Sequence, residues 1–164
     1  MDSGDAIQLI VLLLLILLSA FFSSAETAMT TVNKIRIMSL ADDGNKKAKT
    51  LLKIIENPGK LLSTILIGNN IVNVAAASIT TSLAYSLGGS AVAIANAVIT
   101  IAILLFGEIT PKTTATIHAE KLALIYAPII SIFMKIMTPV IFIINGLSNA
   151  VLLLLRIDPN AKNQ

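Results

Sequence analysis

Residues 7–22 read IQLIVLLLLILLSAFF, and this almost uniformly apolar run decides the fold. A helix needs about 20 mostly apolar residues to cross the roughly 30 Å of hydrocarbon in a bilayer. Two more apolar blocks follow at residues 61–87 and 91–106. The strands of a membrane barrel would alternate in polarity, whereas these blocks are continuous. The pattern therefore predicts an all-α membrane protein.

The composition of the whole chain supports this fold class. Hydrophobic residues make up 55% of the 164 residues, charged residues make up 13%, and the mean hydropathy is +0.87. Soluble domains carry about 25% charged residues, so a soluble domain is excluded. The chain has no cysteine, which excludes disulfides and thiolate metal sites. The length predicts a single transmembrane domain over residues 1–164.

The basic residues indicate how the chain is oriented in the membrane. Most of them lie between the first two apolar blocks, namely Lys34, Arg36, Lys46, Lys47, Lys49, Lys53 and Lys60. Because basic loops stay in the cytoplasm, we expect the N-terminus outside and three spans at about 6–31, 61–87 and 91–110. Gly88-Gly89-Ser90 suits a tight external turn. The protein is thus expected to be a multi-pass protein of the inner or plasma membrane.

The N-terminal run also resembles the core of a cleavable signal peptide. A signal peptide begins with a basic segment, whereas Asp2 and Asp5 precede this run. We therefore interpret the run as a retained span.

A pair of cytoplasmic helices is predicted between the first two spans, at about 34–57. The break lies near Gly44-Asn45, and Asn57-Pro58-Gly59 ends the pair. Two interpretations stay open. The pair is either a basic linker that touches anionic headgroups or a segment used for gating or for contact with a partner.

The last apolar stretch, at about 122–155, contains Pro128, Lys135 and Pro139. Proline inside a helix removes a hydrogen bond and kinks the helix. A full crossing would leave Arg156 and Lys162 outside, against the charge rule. We therefore expect a kinked juxtamembrane belt helix along the inner leaflet, with the C-terminus in the cytoplasm.

Polar side chains inside the spans are the candidates for function, because a bilayer makes such residues costly. The first span carries Ser19, Ser23 and Glu26, and the second carries Asn69, Asn70 and Asn73. Ser19 and Ser23 are four residues apart and so share one helical face. Asn69 and Asn73 repeat this spacing. Each pair can therefore point toward a common site.

The third span ends in a segment with its own chemistry, Gly107-Glu108-Ile109-Thr110-Pro111-Lys112. In an α-helix the missing N–H of Pro111 would leave the carbonyl of Gly107 without a donor. A free carbonyl at membrane depth needs a helix, a water-lined cavity or an ion. Glu108 beside it supplies a negative charge.

Hydroxyls, amide oxygens, a backbone carbonyl and a carboxylate are hard oxygen donors. Such a set suits Mg²⁺, Ca²⁺ or Na⁺ and does not suit zinc or copper. His118 follows the third span and is assigned to the surface or interface. Other roles stay open, since small and polar residues also pack membrane helices together, and Glu108 can pair with Lys112 one turn on.

Three motifs resemble those of a known family: Ser19-Ala-Phe-Phe-Ser23 running into Ala25-Glu26-Thr27-Ala28, Gly68-Asn69 with Asn73, and the segment from Phe106 to Lys112. Together they resemble the transmembrane domain of the CorC/cyclin M (CNNM) family of magnesium transporters. The resemblance implies a homodimer of three-span protomers with a belt helix. It also implies Na⁺-coupled export of Mg²⁺ through a site among the spans.

The resemblance also assigns roles to individual residues. The implied metal ligands are Ser19, Ser23, Asn69, Asn70, Asn73, Gly107 and Glu108, and the gating or sodium candidates are Glu26, Pro111 and Lys112. Family members continue into cytosolic CBS-type regulatory domains that bind nucleotide, whereas this sequence stops at Gln164. We therefore expect an isolated membrane domain.

A competing hypothesis is a membrane-embedded cation sensor or scaffold that binds an ion without moving it. An enzyme is not expected, because no nucleophile and base lie on matching faces of the spans. No glycine-rich phosphate loop occurs. A nucleic-acid partner is not expected either.

Overall fold

The computed structural model of the protein describes residues 3–86, 88 and 90–157. Within these residues all regular structure is helical, which confirms the predicted all-α class. The helices are α1 (Ser3–Thr31), α2 (Lys34–Asp42), α3 (Lys46–Ile55), α4 (Pro58–Tyr85), α5 (Ala91–Ala102), a π-helical segment (Ile103–Ile109), α6 (Thr110–Ile117) and α7 (Ala119–Leu154).

Local sequence signals set the boundaries of the short helices. The Asn33 side chain accepts hydrogen bonds from the first backbone N–H groups of α2, and the Asn45 side chain accepts one from Ala48 N at 3.1 Å in α3. Such caps satisfy donors that a helix leaves unpaired. Gly44 has a φ of +94°, a left-handed conformation that favours glycine. The helical pair is thus interrupted near Gly44-Asn45, as the sequence indicates.

Helix α1 lies at the centre of the molecule. It packs against α4, the π-helical segment, α6 and α7, and α3 packs against α7. The buried core joins α1 residues such as Phe22 and Met29 to Leu51 of α3 and Ile130 of α7. Ser19, Ser23 and Ser24 of α1 are therefore enclosed by protein.

Four helical stretches are long and apolar enough to cross a membrane, where the sequence predicted three. The third continues from Ala91 to Ile117, beyond the predicted end near 110. The fourth is α7, which runs through Pro128 and Pro139 as one helix and starts earlier than the predicted 122. Tertiary packing of its first half, through residues such as Ala127 and Ile130, supports a helix that local proline signals alone would interrupt.

Several predicted features fall outside the described residues. They are Asp2 at the N-terminus, Leu87 at the predicted end of the second span, Gly89 in the turn, and the C-terminal residues 158–164. Gly88 is described and has a φ of +112°. This left-handed conformation fits a turn between α4 and α5.

Candidate ion site

Three side-chain oxygens converge where α1 crosses α4. The Ser19 hydroxyl lies 3.2 Å from Asn69 Oδ1 and 3.5 Å from Asn73 Oδ1. A hydroxyl has one proton, so it can donate to only one of these two acceptors at a time. Ser19 is 1% exposed, and both asparagines are half-buried. The Ser19 proton therefore leaves one of the two amide oxygens without a hydrogen bond from this hydroxyl.

Ser23 lies one turn further along the same face of α1. Its side chain is fully buried, and among the described residues its Oγ has no hydrogen-bond partner. Leaving a buried polar group unpaired costs about 1–3 kcal/mol. Such an atom calls for an explanation, and an ion or water is one of those that apply. We refer to Ser19 and Ser23 together as the ion face of α1.

The backbone at Gly107 approaches the ion face from the third helical stretch. A methyl group at Gly107 would lie 3.1 Å from Ser19 Oγ and 3.4 Å from Ser19 Cβ. A methyl group there would be tighter than most real contacts, and Gly107 is buried. Glycine therefore lets the backbone of this stretch lie next to the Ser19 hydroxyl.

Gly107 belongs to the π-helical segment Ile103–Ile109, which the sequence did not predict. π-Helical turns are rare and occur frequently at functional sites. The N–H of Thr110 donates to the carbonyl of Leu105, five residues back. The segment widens the helix at the point where it meets α1.

This change of register alters the argument about Pro111. In the π register the partner of residue 111 would be the carbonyl of Phe106, and in the α register that follows it would be the carbonyl of Gly107. Because proline has no N–H, one of these two carbonyls loses its helical donor. The sequence argument considered Gly107 alone, since it assumed α geometry throughout.

The charged candidates lie near this cluster along the chain. Glu108 and Glu26 are half-buried, and Lys112 is exposed. Within the described part of the chain, the one ion pair joins Arg36 of α2 to Glu120 of α7 at 3.4 Å. Glu108 therefore does not pair with Lys112, which was the alternative role considered for it. The carboxylate is left available for another cation.

Asn70 and Pro111 occupy different surroundings from the cluster. Asn70 is exposed and lines an open groove with Ile71, Val74 and Ala75, so it does not share the position of Asn69. Pro111 is half-buried and lines a cavity of about 390 Å³ between α1, α6 and α7. The structure thus brings together Ser19, Asn69, Asn73 and Gly107 and leaves Asn70 apart.

The donor chemistry of the site is mainly neutral. No group of three or more histidine, cysteine, aspartate or glutamate side chains occurs among residues 3–86, 88 and 90–157. The convergent atoms are hydroxyl and amide oxygens with backbone carbonyls nearby. Oxygen-only sets of this kind fit Mg²⁺ or Na⁺ and fit poorly with transition metals.

Sequence reasoning missed two contacts beside the ion face. Ser24 donates a hydrogen bond to Tyr126 Oη of α7 at 3.1 Å. The ring of Phe22 lies directly against Gly68 of α4, where a methyl group would come within 2.8 Å of Phe22 Cζ. A glycine inside a predicted helix, next to the candidate ligand Asn69, is the one signal that pointed to the second contact.

Comparison with known proteins gives one family. Residues 9–164 match the family model described as the cyclin M transmembrane N-terminal domain. The match covers the whole of the candidate site.

Curated relatives agree with this match. The chain is 42% identical over 137 residues to a "UPF0053 protein" of Haemophilus influenzae, which covers 83% of this chain and 33% of the relative. It is 38% identical over 131 residues to the "UPF0053 inner membrane protein YfjD" of Escherichia coli, and the aligned part covers 79% of this chain and 31% of the relative. It is 31% identical over 158 residues to the "Polyamine export protein" of Escherichia coli, and the aligned part covers 87% of this chain and 35% of the relative. The chain spans about a third of the length of these relatives.

Proposed function

The chain belongs to the cyclin M transmembrane N-terminal domain family, and from this we propose that it exports Mg²⁺ across the inner or plasma membrane in exchange for Na⁺. The ion would bind between α1, α4 and the π-helical segment. The observation that carries the proposal is the buried hydroxyl of Ser23, which has no hydrogen-bond partner among the described residues and lies one helical turn from Ser19, whose hydroxyl contacts Asn69 Oδ1.

The chemistry of these residues supports a small hard cation as cargo. Mg²⁺ takes oxygen ligands in near-octahedral geometry at about 2.0–2.1 Å and usually keeps several waters. Neutral oxygens from Ser19, Ser23, Asn69 and Asn73 can replace only part of its hydration shell. A partly hydrated ion is released more readily than a fully dehydrated one, as transport requires. Glu108 provides charge compensation from the third helical stretch.

We further propose the membrane arrangement in which this site works. Helices α1, α4 and the stretch from α5 to α6 form three spans, with the N-terminus outside. Helix α7 lies along the inner leaflet as a belt, and α2 and α3 lie in the cytoplasm. Two copies form a homodimer, and cytosolic CBS-type domains follow in the full-length protein. The basic residues of α2 and α3 support this orientation.

The test of the proposed function uses the full chain, purified and reconstituted into vesicles. We expect Mg²⁺ efflux that depends on an opposing Na⁺ gradient, and Mg²⁺ binding measurable by calorimetry. Asn69→Ala should reduce Mg²⁺ affinity by at least the 10- to 100-fold typical of residues that orient metal ligands. Asn96→Ala is the matched control, because Asn96 is an amide in α5, away from the ion face.

Three outcomes separate the hypotheses. Binding with efflux supports a transporter, whereas binding without efflux supports the sensor or scaffold. Unchanged Mg²⁺ affinity in Asn69→Ala would mean that Asn69 and Asn73 pack helices together and do not bind the ion.

Polyamine export is a second candidate, favoured by the 31% identity to the Escherichia coli "Polyamine export protein". A polyamine is a long chain of separated ammonium groups, so it needs acceptors spread along a path rather than a single cluster. Glu26 and Glu108 are half-buried carboxylates available for this near the candidate site along the chain. Spermidine uptake and competition with Mg²⁺ in the same vesicles distinguish the two cargoes.

A further inference from the structure

The contact between Phe22 and Gly68 is the closest approach of α1 to α4 at a glycine. A methyl group at Gly68 would lie 2.8 Å from Phe22 Cζ and 2.9 Å from Phe22 Cε1. Real side chains essentially never approach this closely, so the ring and the backbone of α4 are in direct contact only because residue 68 is glycine. Phe22 is 3% exposed, so the contact is enclosed.

This contact lies beside the candidate ion site on both helices. Asn69 follows Gly68 along α4, and Ser19 and Ser23 flank Phe22 along α1. Ser19 and Phe22 are three residues apart and so share a helical face, and both contact α4. The separation of the two helices at Phe22 therefore also sets the distance between the Ser19 and Asn69 oxygens, which is 3.2 Å.

We infer that Gly68 and Phe22 are positioning residues that set the ion selectivity of the site, an inference that rests on the proposed function. Mg²⁺ needs oxygens at about 2.0–2.1 Å in near-ideal geometry, whereas Ca²⁺ accepts 2.3–2.6 Å and irregular geometry. Moving α1 away from α4 by a few tenths of an ångström therefore penalises Mg²⁺ more than Ca²⁺. The close contact keeps the site small enough for the smaller ion.

The ring has limited freedom to move aside. Phe133 of α7 packs against Phe22 with ring centroids 5.6 Å apart, and Phe21 packs on it at 5.4 Å. A cavity of about 200 Å³ lies next to the contact, lined by apolar residues such as Leu18 and Met137. A methyl group at residue 68 would push the ring away from α4. If α1 and α4 then move apart, the ratio of Mg²⁺ to Ca²⁺ affinity falls. If the ring moves into the cavity instead, the ratio stays at the wild-type value.

The experiment measures Mg²⁺ and Ca²⁺ affinities of the full chain by calorimetry. In Gly68→Ala we expect Mg²⁺ affinity to fall about tenfold, the scale seen for residues that orient metal ligands. Ca²⁺ affinity should change by less than about threefold, since Ca²⁺ tolerates longer contacts. Gly59→Ala is the matched control in the same helix, because a methyl group there would meet nothing within 4 Å. The control should keep the wild-type ratio of Mg²⁺ to Ca²⁺ affinity.

Two more variants complete a double-mutant cycle. Phe22→Leu removes the ring that fixes the spacing without creating a clash, so the affinity ratio should fall several-fold. Combining it with Gly68→Ala places a methyl group in the space left by the ring and should restore most of the ratio. If Gly68→Ala alone does not fold, Phe22→Leu and the double variant still test the inference, because the second should have the higher ratio of Mg²⁺ to Ca²⁺ affinity.

A wild-type ratio in both single variants would overturn the inference, since it would mean that the ring moves into the cavity and the helices stay in place. Equal loss of both ions without rescue in the double variant would also overturn it. If the wild-type chain binds no Mg²⁺, the proposed function itself fails. The failure of this inference is thereby distinguished from the failure of the function.

Discussion

Helix α1 carries two adjacent serines that are both buried and yet differ in hydrogen bonding. Ser23, on the ion face, has no partner among the described residues. Ser24 donates to Tyr126 of α7, next to Phe21, whose ring meets that of Tyr126 edge-on at 5.0 Å. We call Phe21 and Ser24 the anchor face of α1. The difference teaches that burial alone does not identify a site, whereas a buried hydroxyl without a hydrogen-bond partner calls for an explanation such as a bound ion or water.

The largest expected effect concerns Glu108, which follows Gly107 in the segment that packs against Ser19 of the ion face. Glu108→Gln keeps the shape of the side chain and removes its charge. The Coulomb energy of a divalent ion is twice that of a monovalent ion at the same distance. A tenfold loss of Na⁺ affinity therefore implies about a hundredfold loss for Mg²⁺. Calorimetry with both ions measures the two losses of affinity. Equal losses would mean that the Glu108 charge does not act on the bound ion.

The second prediction sets the two serines against each other. Ser23→Ala should weaken Mg²⁺ binding about tenfold and should stabilise the ion-free protein by about 1 kcal/mol, because an unpaired hydroxyl is removed. Ser24→Ala should leave Mg²⁺ affinity unchanged and should destabilise the protein by about 1 kcal/mol, because Tyr126 loses its partner. Thermal unfolding in detergent with a chelator, followed by calorimetry, checks both. If Ser23→Ala destabilised the ion-free protein, its hydroxyl would have a structural partner.

A smaller effect is expected at Pro111, which contributes no side-chain ligand to the ion face. Pro111→Ala restores an N–H, so the helix can recover the carbonyl of Phe106 or Gly107. Mg²⁺ affinity should fall several-fold, while the anchor face and the unfolding temperature are little changed. Thr113→Ala, on the exposed surface of α6, is a suitable control. Pro111→Ala with wild-type affinity would show that neither carbonyl takes part in binding.

The smallest effect on ion binding is expected for substitutions in α5. This helix has no buried residue, so it has no counterpart of the ion face or the anchor face of α1. We expect it to lie at the homodimer interface together with the outer surface of α4. Because the chain lacks cysteine, Ala77→Cys and Ala97→Cys can be tested for disulfide-linked dimers, with Leu13→Cys on the exposed surface of α1 as control. Cross-linking at Leu13→Cys alone would move the interface to α1. Mg²⁺ affinity should be unchanged in all three.

Much of this organisation could be predicted from the sequence because it depends on local patterns. Apolar runs of sufficient length fixed the all-α membrane class, and Gly44 with Asn45 indicated the break between α2 and α3. The spacing of Ser19 with Ser23 and of Asn69 with Asn73 predicted two polar helical faces, and the structure brings Ser19, Asn69 and Asn73 together. Their role as ion ligands remains a prediction.

The remaining features depend on contacts between distant parts of the chain. The π-helical segment has no sequence signature, since the residues 103–109 also suit an α-helix. The contact of Phe22 with Gly68 needs the relative position of two helices, and Ser23 and Ser24 differ only through what lies opposite them. The continuity of α7 through its prolines likewise results from packing against α1 and α3. Local propensity does not contain this information.

The two prolines of α7 lie on the same side of that helix, and this position has a consequence for how the helix can bend. Pro128 and Pro139 are 11 residues apart, which is about three turns at 3.6 residues per turn, so they lie on one side of the helix. Both are exposed, while Ala127 and Ile130 face the core. Each proline removes a backbone hydrogen bond, so a bend at that position places the proline on the outer side of the curve. The two interruptions of the backbone hydrogen bonding therefore lie on the same exposed side of α7, so a bend at either proline lies in about the same plane.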